Sequence, residues 1–177
     1  MFQFSVKLCK FASLHRLRIM HVSFLQIEFN KIQIPSFIMT ISQLSVFLEN
    51  KTGYLNQVLA VLAKHNINII ALTVADTSDY GILRAIVSDP QKALDALLEE
   101  QFSVRIHDIL SIEMDAAPGT MSHILDLFTA ADICIEYVYA FSFGSKSILI
   151  LRTDNQNKSI EVIKSNHLKS ISEADLK

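Results

Sequence analysis

The segment "LSVFLENKTG" at residues 44–53 lies over "LSIEMDAAPG" at 110–119 when the chain is slid against itself by 66 residues. Further on, "AKHNINIIALTVAD" at 63–76 lies over "AADICIEYVYAFS", beginning at Ala130 or Ala131, with Ile67 over Ile133 and Ile69 over Ile135. "ILRAIVSD" at 82–89 corresponds to "SILILRTD" at 147–154 after a one-residue deletion in the preceding turn, and Lys92 to Lys158 once the frame recovers. All four glycines fall into place: Gly53 with Gly119, and Gly81 with Gly144 at closely corresponding hairpin positions. A fixed period of this kind means that one supersecondary unit occurs twice.

Each unit opens with an alternating apolar and polar run, 44–48 and then 109–114, which predicts a half-buried strand. Helical spacing follows, with Leu55, Val58, Leu59 and Leu62 in one copy and Met121, Ile124, Leu125 and Phe128 in the other, each an apolar stripe to lay on a sheet. The β-rich runs 67–75 and 133–141 return through the turns "DTSDYG" and "SFGSK" as 82–87 and 147–152, which predicts hairpins. Asp89 is placed to cap a second helix with Pro90 at its first position, and Asp154 is expected in the matching place. Short strands near 102–108 and 168–172 close the units. The order is βαββαβ twice: an α+β chain of two ferredoxin-like repeats packed as a pair, each antiparallel sheet covered by two helices. "VRIHDILSIEM" at 104–114 passes from one unit to the next without glycine or proline, so the expected domains, 39–108 and 109–177, are rigidly coupled.

The 177 residues are half apolar, enough for one medium core or two small ones. Residues 1–38 carry Lys7, Lys10, Arg16, Arg18 and Lys31 against Glu28, whereas residues 39–177 hold 11 basic and 17 acidic groups. The first 38 residues are therefore expected to be an extension, a disordered arm or an over-long gene reading with Met39 as the natural start. His15, Arg16, Arg18 and His21 break every run that could serve as a secretory signal, and no apolar stretch is long enough to span a membrane. A net charge of −2 with no tryptophan and no basic stripe argues against nucleic acid. Cys9 and Cys134 form no C-x-x-C pair, and none of the six histidines has metal-ligand spacing, so neither a metal nor a cofactor is expected. No nucleophile elbow, P-loop or dinucleotide fingerprint occurs, and Glu99 with Glu100 sits on a solvated helix face, so the chain is not expected to be an enzyme.

"LSVFLENKTGYLNQVLAVLAKHNINI" and its second copy "DAAPGTMSHILDLFTAADICI" resemble the ACT domain, a small amino-acid-sensing module. The resemblance spans residues 41–172 and implies a stand-alone tandem ACT protein. In that family the effector lies against the first strand–helix turn at a seam between two domains. A serine-sensing version uses an E-N-x-P-G turn and the asparagine of a V-N-I run. On that resemblance Asn50 and Asn68 match the two asparagines, Gly53 the glycine that lets backbone approach the ligand, and Lys51, Thr52, Tyr54, Leu55 and Ile69 complete the expected site. Leu48 stands where that version has histidine, which weakens the case for serine itself, and Thr52 stands where the family has proline.

The second repeat has Ala116 and Cys134 where the first has Asn50 and Asn68, so its site reads as silent. Read without the resemblance, Asn50 is equally a turn residue bonding its own backbone, and Asn68 a helix-end residue in left-handed geometry. Tyr137 and Tyr139 are expected to share a strand face with Ile133, Ile135 and Phe141 and to serve in packing. The resemblance implies a cytoplasmic, homo-oligomeric regulator with an amino-acid effector and an enzyme of amino-acid metabolism as partner. The alternative is a ligand-independent interaction module, for instance a regulatory subunit of acetohydroxyacid synthase.

Overall fold

The computed structural model describes residues 40–76 and 80–176, so the N-terminal extension expected at 1–38 lies outside the described residues. The chain forms β1 (Thr40–Glu49), α1 (Tyr54–Lys64), β2 (Ile69–Asp76), β3 (Tyr80–Val87), α2 (Pro90–Glu99) and β4 (Val104–Met114). It continues as α3 (Thr120–Ala130), β5 (Ile135–Phe143), β6 (Lys146–Thr153), α4 (Gln156–Ser165) and a 3-10 turn at Glu173–Leu176. Both repeats thus have the expected order, but their sheets are one, in the order β2-β3-β1-β4-β6-β5.

The fusion follows from the missing linker. β4 is a single strand, pairing with β1 through Val104–Leu110 and with β6 through Leu110–Met114. The expected boundary at 108/109 therefore falls inside a strand. The closing strand expected at 168–172 shrinks to an isolated bridge of Ser170 with Ile112, with Glu113 N–H donating to Lys169 O at 2.7 Å.

All four helices lie on one face. Leu44, Val46, Leu83 and Val104 pack with Val58, Leu62 and Leu97 in a first core, and Leu110, Ile112, Leu149 and Leu151 with Ile124, Phe128 and Ile163 in a second. These β4 residues share one parity, and alternate residues of a strand face the same way. The cap of α2 is as expected, Asp89 Oδ1 accepting from Lys92 N–H at 3.0 Å. The cap of α4 is Asn155, not Asp154: Asn155 Oδ1 accepts from Lys158 N–H at 3.0 Å. Asp154 instead stands at Ser88's place in the repeat.

The opposite face is buried against itself. Ile41, Ile86, Ile109, Ile148 and Ile150 form a third cluster there, joined by Tyr137, Tyr139 and Phe141. Gln43 of β1, fully buried, donates from Nε2 to the Tyr137 hydroxyl at 2.8 Å and accepts at Oε1 from the Tyr139 hydroxyl at 2.9 Å. β1 and β5 are three strands apart in the sheet, some 14 Å if it were flat, so the sheet curls with its helix-free face inward. The tyrosines do not share a face with Ile133 and Ile135. A bulge between Ile135 and Tyr137 turns the two isoleucines to the second core and the tyrosines to the seam, and an equivalent bulge lies between Ile69 and Ala71.

Two predictions follow from this packing. Gln43→Leu takes their shared partner from the half-buried Tyr137 and Tyr139 hydroxyls and should cost roughly 1–3 kcal/mol by urea denaturation. Glu113 bridges Lys146 at 3.1 Å and Lys169 at 3.0 Å, and the hydrogen bond from Lys169, then that from Lys146, holds its carboxyl below the ordinary value. A depressed folded-state value gives stability that is in place above the unfolded carboxylate value and is lost as pH falls through the folded one. Glu113→Gln should therefore lower the thermal midpoint at about pH 7 and match the unaltered protein near pH 2 to 3.

Candidate functional site

The turn after β1 is shaped by backbone that the two repeats share. Gly53 has φ 85° just before α1, and Gly119 has φ 89° before α3. Tyr54 N–H donates to Lys51 O at 3.1 Å and Gln57 N–H to Gly53 O at 3.0 Å; Thr120 to Ala117 at 3.3 Å and His123 to Gly119 at 3.0 Å repeat the pattern. What differs is the side chains offered: Asn50, Lys51 and Thr52 in one turn, Ala116, Ala117 and Pro118 in the other.

Asn50, Lys51, Thr52 and Gly53 are exposed. The Lys51 ammonium pairs with Glu49, whose hydrogen bond and charge raise its pKa above the ordinary lysine value. Tyr54 and Leu55 pack against the first core instead, the Tyr54 ring meeting Phe102 edge-on with centroids 5.5 Å apart.

Asn68 and Ile69 lie at the other end of the sheet. Leu48 pairs with Gly81, whereas Ile69 pairs with Val87, six residues further along β3. At the rise of a strand that is about 20 Å, so one copy of the chain does not bring Asn50 and Asn68 together. Asn68 is tied through its backbone: its N–H donates to Ser88 Oγ at 3.1 Å and its carbonyl accepts from Ser88 N–H at 2.9 Å. Cys134 repeats this with Asp154, both bonds at 3.1 Å. The left-handed residues after these helices are Asn66, φ 55°, and Asp132, φ 53°, so that role falls two residues before Asn68.

Ser88 also lines a cavity of about 450 Å³ with Ser42, Ile70, Asp89, Glu173 and Leu176, which the sequence did not disclose. It opens where β1 and β3 part: Ser42 lies beyond their last paired residues, and its N–H donates to Glu173 Oε1 at 2.8 Å. The matching place in the second repeat, between Asp108, Thr153 and Gln156, holds about 30 Å³, and there Gln156 Nε2 donates to the Asp108 carbonyl at 3.4 Å. No linear motif marks walls drawn from β1, β3, the start of α2 and the C-terminal segment.

Burial pushes the Tyr139 hydroxyl's pKa well up, and that hydroxyl donates to Gln43 Oε1. Among the described residues no three His, Cys, Asp or Glu side chains are grouped to hold a metal, and no helix is long and apolar enough to cross a membrane.

A family model described as an ACT domain pair matches residues 39–177. Protein BT0572 from Bacteroides thetaiotaomicron, a crystal structure, is 43% identical, with 78% of this chain and 96% of that one covered and a TM-score of 0.73. The ligand-free regulatory subunit of aspartate kinase from Thermus thermophilus is 12% identical over 74% of this chain and 93% of its own, with a TM-score of 0.53, a likeness of fold alone. The small subunit of acetolactate synthase isozyme 3 from Salmonella typhimurium is 27% identical over 105 residues, 59% of this chain and 60% of that protein, so the match spans about three fifths of that relative.

The shared turn geometry carries its own test. Space beside both glycines is open, so alanine there meets backbone strain rather than a clash. Gly53→Ala and Gly119→Ala should each cost roughly 1–2 kcal/mol in urea denaturation, by nearly equal amounts.

Proposed function

This chain belongs to the ACT domain pair family, and from that premise we propose that it is a non-catalytic regulatory protein binding a small amino acid at the turn of its first repeat. One observation carries the reading: two turns of the same backbone geometry differ in that only the first presents an amide and a hydroxyl, at Asn50 and Thr52. An amino acid's ammonium and carboxylate must exchange water for acceptors and donors, which an amide supplies and alanine does not.

The distance between Asn50 and Asn68 argues for a seam between two copies, with the turn of one facing Asn68 and Ile69 of the other. β2 is an edge strand, and its Ile69, Leu72 and Val74 are 39%, 42% and 41% exposed. An apolar sheet edge is a ready template for a second chain. Output requires a ligand that binds one pairing state better than another, since equal affinity shifts nothing. The target is an enzyme of amino-acid biosynthesis in the cytoplasm, in keeping with the likeness to a small subunit of acetolactate synthase. The exposed apolar edge also favours a second reading, a ligand-independent subunit of such an enzyme.

Isothermal titration of the full chain against the twenty amino acids should find micromolar-to-millimolar binding, abolished by Asn50→Ala and weakened by Asn68→Ala. Failure of every amino acid to bind would overturn the sensor reading, and ligand-independent capture of a biosynthetic enzyme would then establish the second. Binding indifferent to Asn50→Ala would refute the turn as the site.

A further inference from the structure

The three arginines among the described residues, Arg84, Arg105 and Arg152, all lie on the helix-free face of the sheet. Arg84 and Arg105 flank Ser45 in one register row across β3, β1 and β4, their Cα atoms about two strand spacings, or 10 Å, apart. His107, two residues along β4, pairs with Gln43. From the second repeat, Arg152 pairs with Tyr137, and the Arg84 guanidinium stands 4.1 Å over the Tyr137 ring. His107 is drawn below the ordinary histidine value by burial first and then by the charges of Arg152 and Arg105, with Asp108 opposing and Arg84 adding a smaller pull. Arg84, Arg152, His107 and Tyr137 are half-buried and Arg105 is exposed, so the group forms the mouth of the seam between repeats.

We propose that Arg84, Arg105 and Arg152, gathered beside His107 and Tyr137 at the mouth of the inter-repeat seam, form a binding site for a small phosphate-bearing ligand. Glu136 answers Arg152, its Oε2 lying 2.9 Å from Nε, but among the described residues neither Arg84 nor Arg105 has an ion-pair partner. Asp108, the acid whose charge partly offsets the arginines at His107, stands on the helix side of β4 with Val104, Leu110 and Ile112. Within this group, among the described residues, three guanidiniums against one carboxylate leave two positive charges, in a segment, 39–177, whose own balance is 11 basic to 17 acidic. That excess matches a phosphate dianion, and the planar fork of arginine suits its oxygens better than the point charge of lysine. Stacking on Tyr137 fixes Arg84 in advance and reduces the entropy lost on binding. The ligand would join β3 and β4 of the first repeat to β6 of the second, at a place separate from both the Asn50 turn and the Ser88 cavity.

Isothermal titration of the full chain at fixed ionic strength, with inorganic phosphate, glycerol 3-phosphate and succinate as probes, tests this. Both phosphates should bind, and succinate should bind about tenfold more weakly or not at all. Arg105→Gln, at an exposed position, should weaken phosphate binding by about tenfold or more while leaving the ligand-free thermal midpoint unchanged, and Arg105→Lys should fall between. Succinate binding as tightly as phosphate, equal phosphate affinity in Arg105→Gln, or no phosphate binding at millimolar concentration would each overturn the proposal. Amino-acid binding unaffected by Arg105→Gln separates this site from the first-repeat turn.

Discussion

The uninterrupted strand from Val104 to Met114 is the constraint on which the rest depends. Its first residues complete the sheet of one repeat and its last begin the sheet of the other, so the repeats cannot take separate sheets or slide apart. Because its side chains keep one alternation throughout, Val104, Leu110 and Ile112 all point to the helices, and Ile109 and Ser111 to the far side. Two pairs of helices on one side of a shared sheet leave a second face to cover, and the chain covers it by curling. Gln43 is the polar element of that closure, its amide donating to one and accepting from the other of two tyrosines that arrive from the far edge of the sheet.

Much of this was legible. The 66-residue offset, the helical stripes and the missing linker are local or periodic features, and they yield both repeats in the right order. What escaped is topological. Alternation along 133–141 continues through the bulge before Tyr137, because an inserted residue shifts facing without altering the apolar character of the run. The one-residue deletion in the second hairpin made Asp154 look like the counterpart of Asp89, whereas the restored frame aligns it with Ser88. Single-sequence reasoning also could not show that Asn50 and Asn68 stand at opposite ends of a sheet, a fact of strand direction rather than of residue type. The exposed part of the turn, Asn50 to Gly53, was read correctly as a shared corner with unshared side chains.

The internal repeat serves as a built-in control. Wherever backbone geometry recurs, as at Gly53 and Gly119 or at the Asn68–Ser88 and Cys134–Asp154 pairs, it belongs to the architecture. Wherever side chains or free volume diverge, as at Asn50 and at the cavity beside Ser88, the first repeat has something the second lacks. Both divergences fall on the same repeat, at its two ends.

Ser170 and its neighbours add a point about the order in which the protein can be finished. Beyond Leu110 one edge of β4 has no β1 residue beside it, and it is met instead by Lys169–Ile171, while Leu176 joins the apolar cluster of the curled face. A ribosome delivers every strand of the sheet before it delivers this segment. Among the described residues, four of the eleven residues of the central strand, Ser111–Met114, have this late segment alone beside that edge, and an uncovered strand edge is a surface that can capture a wrong strand. Residues 169–176, made last, thus close both an edge and a face of a sheet whose strands all precede them.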